Sequence, residues 1–505
     1  MIQPVPAARL RHLNERPVHP QGDYVLYWMT SYRRTRRNFA LQRAVERAVE
    51  LGVGVVVLEA LRSDYPWASD RFHRFIIDGM ADNAAALAGR PGVTYLPYVE
   101  QSIGQGRGLL GKLGDRACVV VTDDYSNFFI PRMLEVAAGR VGVLLEAVDS
   151  NGLAPVYGAG KDYPSAYTFR RYLQNHLPRY LTDVPVDDPV AGLAGLPAPE
   201  IAAEVLERWP RAEVTGDGAG FDLGAIPIDH DIGPTDLRGG QRAAEARLDA
   251  FLRHRLTRYA DERNQPEEEV TSSLSPWLHF GHISTHTIMD RLLAHEDRAP
   301  GIDGGGAASD ADGWIAGLAE RPADGKRSGW WGMSPSAEAF LDQLVTWREL
   351  GFNMAVQRAD FREYGSLPDW ARTTLAEHVD DPRPHVYSLE QFDGAETHDE
   401  LWNAAQRQLR REGVIHNYLR MLWGKKILEW TWTPHEAADV MIELNNRYAL
   451  DGRDPNSYSG IYWCLGRYDR PWGPERPIFG KIRYMTSKNT ARKLRVGEYL
   501  ERYSD

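Results

Sequence analysis

The stretch HDELWNAAQRQLRREGVIHNYLRMLWGKKILEWT, residues 398–431, decides the fold of the C-terminal half of the chain. Its apolar residues recur at helical spacing, so it predicts helices rather than strands. Trp423 and Trp430 are seven residues apart and therefore share one helix face, while Trp402 lies on the preceding helical segment. Indoles grouped in this way either relay electrons by successive hops or pack a helical core. The spacing alone leaves both interpretations open.

Helical patterns of the same kind run through the rest of the C-terminal half. Examples are GQRAAEARLDAFLRHRLTRYADER at 240–263 and AEAFLDQLVTWREL at 337–350. A Gly/Ala/Asp-rich stretch, APGIDGGGAASDADG, interrupts them, and its composition predicts a flexible insertion near 297–333. We therefore expect residues 239–505 to form a large all-α domain that carries one mobile insertion.

Short apolar runs alternate with helical patterns in the first third of the chain. The runs are DYVLYWM (23–29), GVGVVVLEAL (52–61), GVTYLPYVE (92–100), ACVVVTDDY (117–125) and RVGVLLEAV (140–148). This rhythm predicts βαβ units and a parallel, Rossmann-like sheet, assigned to an α/β domain at 23–181 behind an N-terminal arm at 1–22. The domain contains neither G-x-G-x-x-G nor a P-loop, so an ordinary dinucleotide or nucleoside triphosphate site is not indicated. A Pro/Gly/Ala-rich linker follows at 182–238.

Length and composition describe a globular protein of several domains, since 505 residues exceed what one hydrophobic core supports. The N-terminus lacks the apolar core of a signal peptide, and no later run approaches the ~20 apolar residues that span a bilayer. The only cysteines are Cys118 and Cys464, which form no repeated metal-binding spacing. We therefore expect a cytoplasmic monomer that makes no membrane contact and binds no metal.

The charge distribution keeps a nucleic-acid partner open despite a net charge of -11. Residues 466–495 hold nine Lys or Arg against two acidic residues, which gives 9 - 2 = +7, and aromatic residues lie between them. A basic, aromatic stretch of this kind suits a DNA-facing surface. A solvated charged face is the alternative interpretation.

The stretch 398–431 closely resembles the flavin-domain signature of class II cyclobutane pyrimidine dimer photolyases. Further blocks match the family in the same order: RYADERNQP (258–266), SSLSPWLHFGHIS (272–284), FLDQLVTWREL (340–350), LPDWARTTLAEH (367–378), LNNRYALDGRDPNSYSGIYW (444–463) and DRPWGPERPIFGKIRYM (469–485). The resemblance covers most of 244–484 and extends more weakly into the N-terminal domain through VDSNGLAPVY at 148–157. A series of long motifs is a far more specific signal than any short one.

The resemblance implies an α/β N-terminal domain followed by a large helical FAD-binding domain. It implies a deoxyribodipyrimidine photo-lyase, in which excited reduced FAD drives repair of cyclobutane pyrimidine dimers in ultraviolet-damaged DNA by electron transfer. The family's usual second chromophore is an antenna of the deazaflavin type. Two other functions stay open, a cryptochrome-like flavin photoreceptor and a light-independent flavoenzyme that reuses the pocket.

The resemblance also assigns cofactor-binding roles. The phosphates of FAD are expected at Tyr259 and at the turn formed by Ser273, Leu274 and Ser275. Arg420 and Asp451 match the pair near the isoalloxazine ring, and Asn445 matches the amide that faces flavin N5. The family's electron relay falls on Trp423, Trp402 and Trp430.

The lesion, swung out of the duplex, is expected to stack on aromatic side chains. Trp463 and Trp472 match the stacking positions, and Met421 adds apolar packing. Glu349 matches the acid that hydrogen-bonds the dimer and steadies the charge developing on its carbonyl. The remaining DNA-binding positions by resemblance are Arg263, Asn264, Tyr418 and Arg483.

The chain departs from the family in its first loop. Ser31, Tyr32, Arg33 and Arg34 stand where the family commonly reads Arg-Asp-Gln-Arg, and Arg37 replaces an acidic residue. This loop lies where the two domains and an antenna usually meet, so the presence of an antenna stays open. The smaller departures are Gly351, Phe352, Leu422 and Asn446.

Overall fold

The computed structural model describes residues 3–216, 218–296 and 311–504. Its N-terminal part is a six-stranded sheet in the order β1-β6-β5-β2-β3-β4. All neighbouring strands run parallel except β1, which pairs antiparallel with β6. The strands are β1 (Leu10–His12), β2 (Tyr24–Met29), β3 (Gly54–Leu61), β4 (Val93–Val99), β5 (Ala117–Asp123) and β6 (Leu145–Val148). The α/β fold predicted for this region is confirmed.

Helices cover both faces of this sheet, which explains why its strands read as continuous apolar runs. All six residues of β2 are buried. Such burial on both faces is typical of parallel sheets. The helices of this part are α1 (Phe39–Leu51), α2 (Asp70–Leu87), α3 (Leu109–Gly114), α4 (Ile130–Arg140) and α5 (Ala166–Tyr180).

The carboxyl ends of β2 and β5 lie side by side, and the strand order reverses between them. Asp123, the last residue of β5, accepts hydrogen bonds from the backbone N–H groups of Thr30, Ser31 and Tyr32 at 2.7–2.8 Å. This carboxylate therefore fixes the loop after β2. In open α/β sheets the crevice at such a reversal is the usual place for a ligand.

The segment after α5 runs over the α/β part, as predicted for a linker. Its described residues include a 3₁₀-helix at Pro189–Leu193 and the helix α6 (Ala203–Arg208). Leu193 and Trp209 anchor it because both are buried, and the Trp209 indole donates to the carbonyl of Gln105 at 2.8 Å. The domain boundaries near residues 22, 181 and 238 stay predictions.

The C-terminal part is helical throughout the residues that are described, which confirms the predicted all-α half. A π-helical stretch at Asp342–Trp347 joins two of its helices. The helices are α7 (Gln241–His254), α8 (Tyr259–Glu262), α9 (Ser275–His279), α10 (Thr285–Glu296), α11 (Ala311–Glu320), α12 (Pro335–Leu341), α13 (Arg348–Gln357), α14 (Asp369–Glu377), α15 (Leu389–Asp393), α16 (Glu400–Glu412), α17 (Asn417–Trp430), α18 (Pro434–Tyr448), α19 (Pro455–Cys464), α20 (Ser487–Lys493) and α21 (Gly497–Arg502). None of the helices in the described ranges combines the length and apolar character of a bilayer-spanning segment.

The insertion expected to be flexible is packed in its second part, while residues 297–310 lie outside the described residues. Helix α11 begins at Ala311, and Leu318 within it is fully buried. The Trp331 ring stacks on Trp314 at 6.3 Å, and Arg170 of α5 donates to the carbonyl of Gly325 at 3.0 Å. Residues 311–333 therefore pack against the helical part, because apolar side chains there are buried, while the flexibility expected for 297–333 stays a prediction.

Candidate functional site

The three tryptophans expected to relay electrons form one contiguous group. The Trp402 ring on α16 lies parallel to Trp423 with a centroid distance of 6.5 Å, and it meets Trp430 at 6.0 Å in an edge contact. Trp423 and Trp430, both on α17, therefore flank Trp402. The structure thus brings these residues into a chain ordered 423, 402, 430.

Hydrogen bonds hold the inner two indoles in place. The Trp402 indole N–H donates to the carbonyl of Trp423 at 3.0 Å, and the Trp423 indole N–H donates to Oε1 of Gln406 at 2.9 Å. Gln406 is fully buried. It was missed in the sequence, although its position one helical turn after Trp402 could have pointed to it.

Arg420, which lies one helical turn before Trp423 on α17, forms an ion pair with Asp451. Nη2 of Arg420 lies 3.0 Å from Oδ1 of Asp451, and the Ser275 hydroxyl donates to the same carboxylate at 2.7 Å. Burial by itself raises the pKa of Asp451, but the Arg420 charge and the Ser275 hydrogen bond hold that pKa below its ordinary value. Asp451 is therefore ionised. Because Arg420 precedes Trp423 by three residues, the pair and the first indole share a face of α17.

Polar groups around this pair fit a flavin dinucleotide. Arg420 Nε and His416 Nδ1 are buried without a hydrogen-bond partner in the described part of the chain. Burial lowers the pKa of His416 to about 4, so its imidazole is neutral. The His416 Nε2 atom lies 3.2 Å from the carbonyl of Arg263, which assigns the ring proton to Nε2 and leaves Nδ1 as an acceptor. Donors and acceptors of this kind suit the polar edge of a flavin ring. His416 was missed in the sequence.

The other residues expected at the cofactor lie around the same helices. Ser273 takes a left-handed backbone conformation (φ 53°) immediately before buried Leu274 and α9. Tyr259 is buried at the start of α8, and the Arg263 guanidinium lies 5.7 Å from its ring. Asn445 donates from Nδ2 to the Ser457 hydroxyl at 2.7 Å, so α18 and α19 hold it.

Trp463, Trp472 and Arg483, expected at the lesion, also lie together. The Arg483 guanidinium is 5.8 Å from the Trp463 ring and 5.2 Å from the Trp472 ring. Lys425, fully buried, donates to the carbonyl of Cys464 at 2.6 Å and lies 5.5 Å from the Trp463 ring. Burial lowers the pKa of Lys425 to about 8. We call Trp463, Trp472, Arg483 and Lys425 the aromatic–cationic cluster.

The other residues expected to contact DNA lie outside the aromatic–cationic cluster. Met421 is half-buried on α17, where its carbonyl lies 4.0 Å from Sγ of Cys464 on α19, next to the cluster. Tyr418 is half-buried one turn earlier, and Asn264 is exposed after α8. One residue of the basic stretch faces inward, because Arg467 is buried and donates to the carbonyl of Phe361.

Glu349 contacts the N-terminal segment instead of the aromatic–cationic cluster, so the lesion contact expected for it gains no support from its position and stays a prediction. Its carboxylate is 5% exposed and accepts hydrogen bonds from the backbone N–H groups of Leu153 at 2.8 Å and Ala154 at 3.4 Å. The neighbouring Arg348 donates to Asn151 at 2.6 Å. Both residues therefore bind the N-terminal segment 151–154. A Cβ atom at Gly152 would lie 2.7 Å from Glu349, so the two segments approach each other too closely for a larger residue at 152.

We expect Glu349→Ala to destabilise the protein. The substitution leaves two buried N–H groups without acceptors and opens a cavity, which together cost about 2–4 kcal/mol. Glu349→Gln is the matched control, because its amide oxygen can still accept from Leu153. Thermal unfolding should show a clear drop in melting temperature for Ala and a small one for Gln. Equal, unchanged melting temperatures would contradict the placement.

A cavity of about 410 Å³ lies at the carboxyl ends of the parallel strands, next to the helical part. Ser31 and Arg33 of the unusual first loop line it, and the buried Tyr98 hydroxyl there has no hydrogen-bond partner in the described structure. Aromatic rings form much of the wall, namely Trp28, Tyr65, Phe72, Tyr98, Phe128 and Phe129. The cavity fits a flat aromatic molecule with a polar edge.

The altered loop residues have partners of their own. Arg33 pairs with Glu59 at 3.0 Å, and the Tyr32 hydroxyl donates to the carbonyl of Asp124 at 2.6 Å. Arg37 pairs with Asp290 of α10 at 2.6 Å. The departures from the family therefore tie this loop to the sheet and to the helical part while leaving the cavity open.

Helix α9 connects the cavity to the Arg420–Asp451 pair. Its first residue, Ser275, donates to Asp451, and its last residue, His279, lines the cavity. Four residue steps along a helix span only ~6 Å. The cavity and the ion pair are therefore close neighbours.

The described residues contain no group of His, Cys, Asp or Glu side chains that could hold a metal ion. No known protein-family profile matches the chain. In fold, the chain is similar to the crystal structure of a bacterial class III photolyase from Agrobacterium tumefaciens, with a TM-score of 0.62 at 18% identity over 95% of this chain and 86% of that one.

Curated relatives are similar over nearly the whole sequence. A deoxyribodipyrimidine photo-lyase of Methanothermobacter thermautotrophicus is 35% identical, with 98% of each chain covered. The enzyme of Oryza sativa subsp. japonica is 33% identical over 96% of this chain and 89% of its own, and that of Potorous tridactylus is 30% identical over 96% and 82%. The chain therefore belongs to the deoxyribodipyrimidine photo-lyase family.

Proposed function

We propose that this protein is a class II cyclobutane pyrimidine dimer photolyase that repairs ultraviolet-damaged DNA with light and FAD, acting as a cytoplasmic monomer. The single observation that carries the proposal is the chain of three contiguous indoles ending one helical turn after Arg420 of the Arg420–Asp451 pair. A light-independent flavoenzyme has no use for such a chain. The aromatic–cationic cluster adds a surface suited to an unstacked base.

The residues around Arg420 would hold the flavin. The Arg420 guanidinium and neutral His416 meet the polar edge of its ring, while Ser273, Ser275 and Tyr259 approach the phosphates. Asp451 keeps Arg420 charged and oriented. When bound, reduced FAD supplies the light-driven electron that opens the two cyclobutane bonds and takes it back afterwards. Trp430, Trp402 and Trp423 carry electrons inward to keep the cofactor reduced.

The aromatic–cationic cluster would receive the flipped dimer. Trp463 and Trp472 offer ring faces for stacking, which is worth ~1–3 kcal/mol per base. Arg483 stands against both rings and can neutralise a nearby phosphate or fill the gap in the duplex. Lys425 adds a positive charge on the inner side of Trp463, where it can stabilise negative charge on the dimer.

The cavity at the sheet would hold an antenna chromophore. Its aromatic wall and polar edge suit a deazaflavin, and His279 and Arg453 line its side toward the Arg420–Asp451 pair. Short separation favours transfer of excitation energy from such a chromophore to the flavin. This proposal supplements repair and is not required for it.

We expect the purified, reduced protein to restore thymine absorbance when it is illuminated with ultraviolet-irradiated oligothymidine. Trp463→Ala should weaken binding of the irradiated oligonucleotide by roughly 5–150-fold, the equivalent of ~1–3 kcal/mol of stacking. Trp432→Ala is the matched control, because Trp432 is 65% exposed outside the cluster. Photoreduction without any repair would favour the photoreceptor instead, and a colourless protein that takes up no FAD would refute both.

A further inference from the structure

The outer end of the relay does not reach solvent directly. Trp430 is only 2% exposed. The Tyr387 ring covers it at 5.6 Å and the His398 ring at 5.0 Å, and the Tyr387 backbone N–H donates to the carbonyl of Trp430 at 3.1 Å. Tyr387 and His398 therefore offer a route by which an electron from solution can reach Trp430.

Tyr387 and His398 are joined by two hydrogen bonds. The backbone N–H of His398 donates to the Tyr387 hydroxyl at 3.0 Å, which occupies a lone pair of that oxygen. Nδ1 of His398 lies 2.6 Å from the same oxygen. When the neutral imidazole carries its own proton on Nε2, the phenol donates its single proton to Nδ1.

The spacing of the rings continues the relay outward. Successive centroid distances are 6.5 Å from Trp423 to Trp402, 6.0 Å from Trp402 to Trp430 and 5.6 Å from Trp430 to Tyr387. The step to Tyr387 is thus no longer than either step inside the indole chain. Tyr387 is half-buried and His398 is exposed, so the pair lies at the boundary with solvent.

We propose that Tyr387 is the terminal electron donor of the relay and that His398 is its proton acceptor; this extends, and rests on, the light-driven relay of the proposed function. The oxidant is the radical cation left on the Trp430 indole when light has moved one electron inward. Tyr387 gives one electron to Trp430, and its O–H bond breaks as the proton moves to His398 Nδ1. The products are a neutral Trp430, a neutral tyrosyl radical and an imidazolium at His398.

The charges around the pair favour this direction. The Lys426 ammonium lies 5.1 Å from the Trp430 ring and disfavours a positive charge on the indole. The Glu429 carboxylate, 2.6 Å from the same ammonium, offsets part of this effect. The tyrosyl radical carries no charge. Burial and the neighbouring His385 lower the pKa of His398, so the imidazole is neutral before the step, and the positive charge that it gains is relieved when it releases the proton to solvent.

Moving the proton has a functional consequence. A radical cation on Trp430 can take its electron straight back from the inner relay, which wastes the absorbed light. Once His398 holds the phenol proton, that return requires the proton to move back as well. His398 is exposed and can release the proton to solvent. The pair would therefore trap the separated state until a reductant in solution reaches Tyr387.

The test is flash photolysis of the protein with oxidised FAD, read by transient absorption and by electron paramagnetic resonance. The parent should show the indole radical cation decaying into a neutral tyrosyl radical, more slowly in D₂O. Tyr387→Phe should abolish the tyrosyl signal and shorten the life of the separated state. His398→Ala should do the same, and added imidazole should restore the signal. Tyr364→Phe is the matched control, since the Tyr364 ring stacks on His435 instead.

A second measurement separates this inference from the proposed function. Pulse radiolysis with azidyl radical oxidises tryptophan in the dark, without use of the flavin. Transfer to tyrosine should then be diminished by Tyr387→Phe and by His398→Ala but not by Tyr364→Phe. If the parent shows indole radicals yet the same tyrosyl yield as Tyr387→Phe in both experiments, the inference is overturned while the relay stands. If illumination produces no indole radical at all, the relay fails, and the dark experiment alone decides the role of Tyr387.

Discussion

Substitution of Trp402 by Phe is expected to abolish light-driven reduction of bound FAD while leaving repair by chemically reduced protein intact. Trp402 is the middle ring of the three. It contacts both Trp423 and Trp430, so an electron that moves between those two rings passes through it. Seven residue steps on α17 separate the outer two by ~10 Å. Phenylalanine is much harder to oxidise than tryptophan, and each added ~1.4 kcal/mol of barrier slows a step ~tenfold.

The matched control for this experiment is Trp209→Phe. Trp209 is buried like Trp402 and also donates its indole N–H to a backbone carbonyl, that of Gln105 at 2.8 Å. It lies on the linker, away from the relay. Photoreduction is followed as bleaching of oxidised flavin under blue light, and repair as recovery of thymine absorbance after dithionite reduction. Equal loss of both activities in Trp402→Phe would show that the indoles serve only to pack the helices.

Arg420→Ala is expected to weaken FAD binding by two to three orders of magnitude. The substitution leaves the ionised Asp451 carboxylate, 14% exposed, without its cation. Removing one partner of a buried ion pair costs about 3–5 kcal/mol, and the part of this cost that arises only when bound FAD shields Asp451 from water weakens affinity tenfold for each ~1.4 kcal/mol. The site also loses the Nε donor, which has no partner among the described protein groups. Binding is measured by titrating FAD fluorescence with apoprotein.

Two further variants separate cofactor binding from folding. Asp451→Asn removes the negative charge that Arg420 balances. If the unpaired carboxylate is the main cause of weak binding in Arg420→Ala, the double variant Arg420→Ala/Asp451→Asn should bind FAD more tightly than Arg420→Ala alone. Arg170→Ala is the control for loss of a buried ion pair elsewhere, because Arg170 lies 2.7 Å from Asp342 in a pair that is more deeply buried than Arg420–Asp451. An Arg420→Ala protein that is folded and holds FAD as tightly as the parent would refute the assignment of the flavin ring to this pair.

Local patterns in the sequence were sufficient for the fold class. Continuous Val-rich runs separated by amphipathic segments predict a parallel sheet covered by helices, because strands buried on both faces need apolar residues at every position. The three tryptophans expected to form the relay could also be named from the sequence. Residues 423 and 430 share a helix face by periodicity alone, and the matched motifs supplied Trp402.

The role of Glu349 was beyond the reach of these patterns. Its motif matches the family, but its partners are backbone N–H groups at 153 and 154, almost two hundred residues earlier in the chain. Every residue except proline carries a backbone N–H, so the residue type does not show which N–H groups will bind a distant carboxylate. The packing of 311–333 escaped for a related reason, since its partners on α5 lie far away in the sequence.

The sequence by itself determined the two-part architecture, which follows from the spacing of side chains along single helices and strands, and the matched motifs named the three tryptophans expected to form the relay. Only the tertiary structure decided which of those residues meet. It separated Glu349 from the aromatic–cationic cluster, and it set Tyr387 and His398 against Trp430 across a loop. Contacts of this kind depend on how distant segments pack. The hydrogen bond of 2.6 Å between Tyr387 and His398 joins two loop residues, and loops lack the periodic pattern of apolar residues from which structure is predicted.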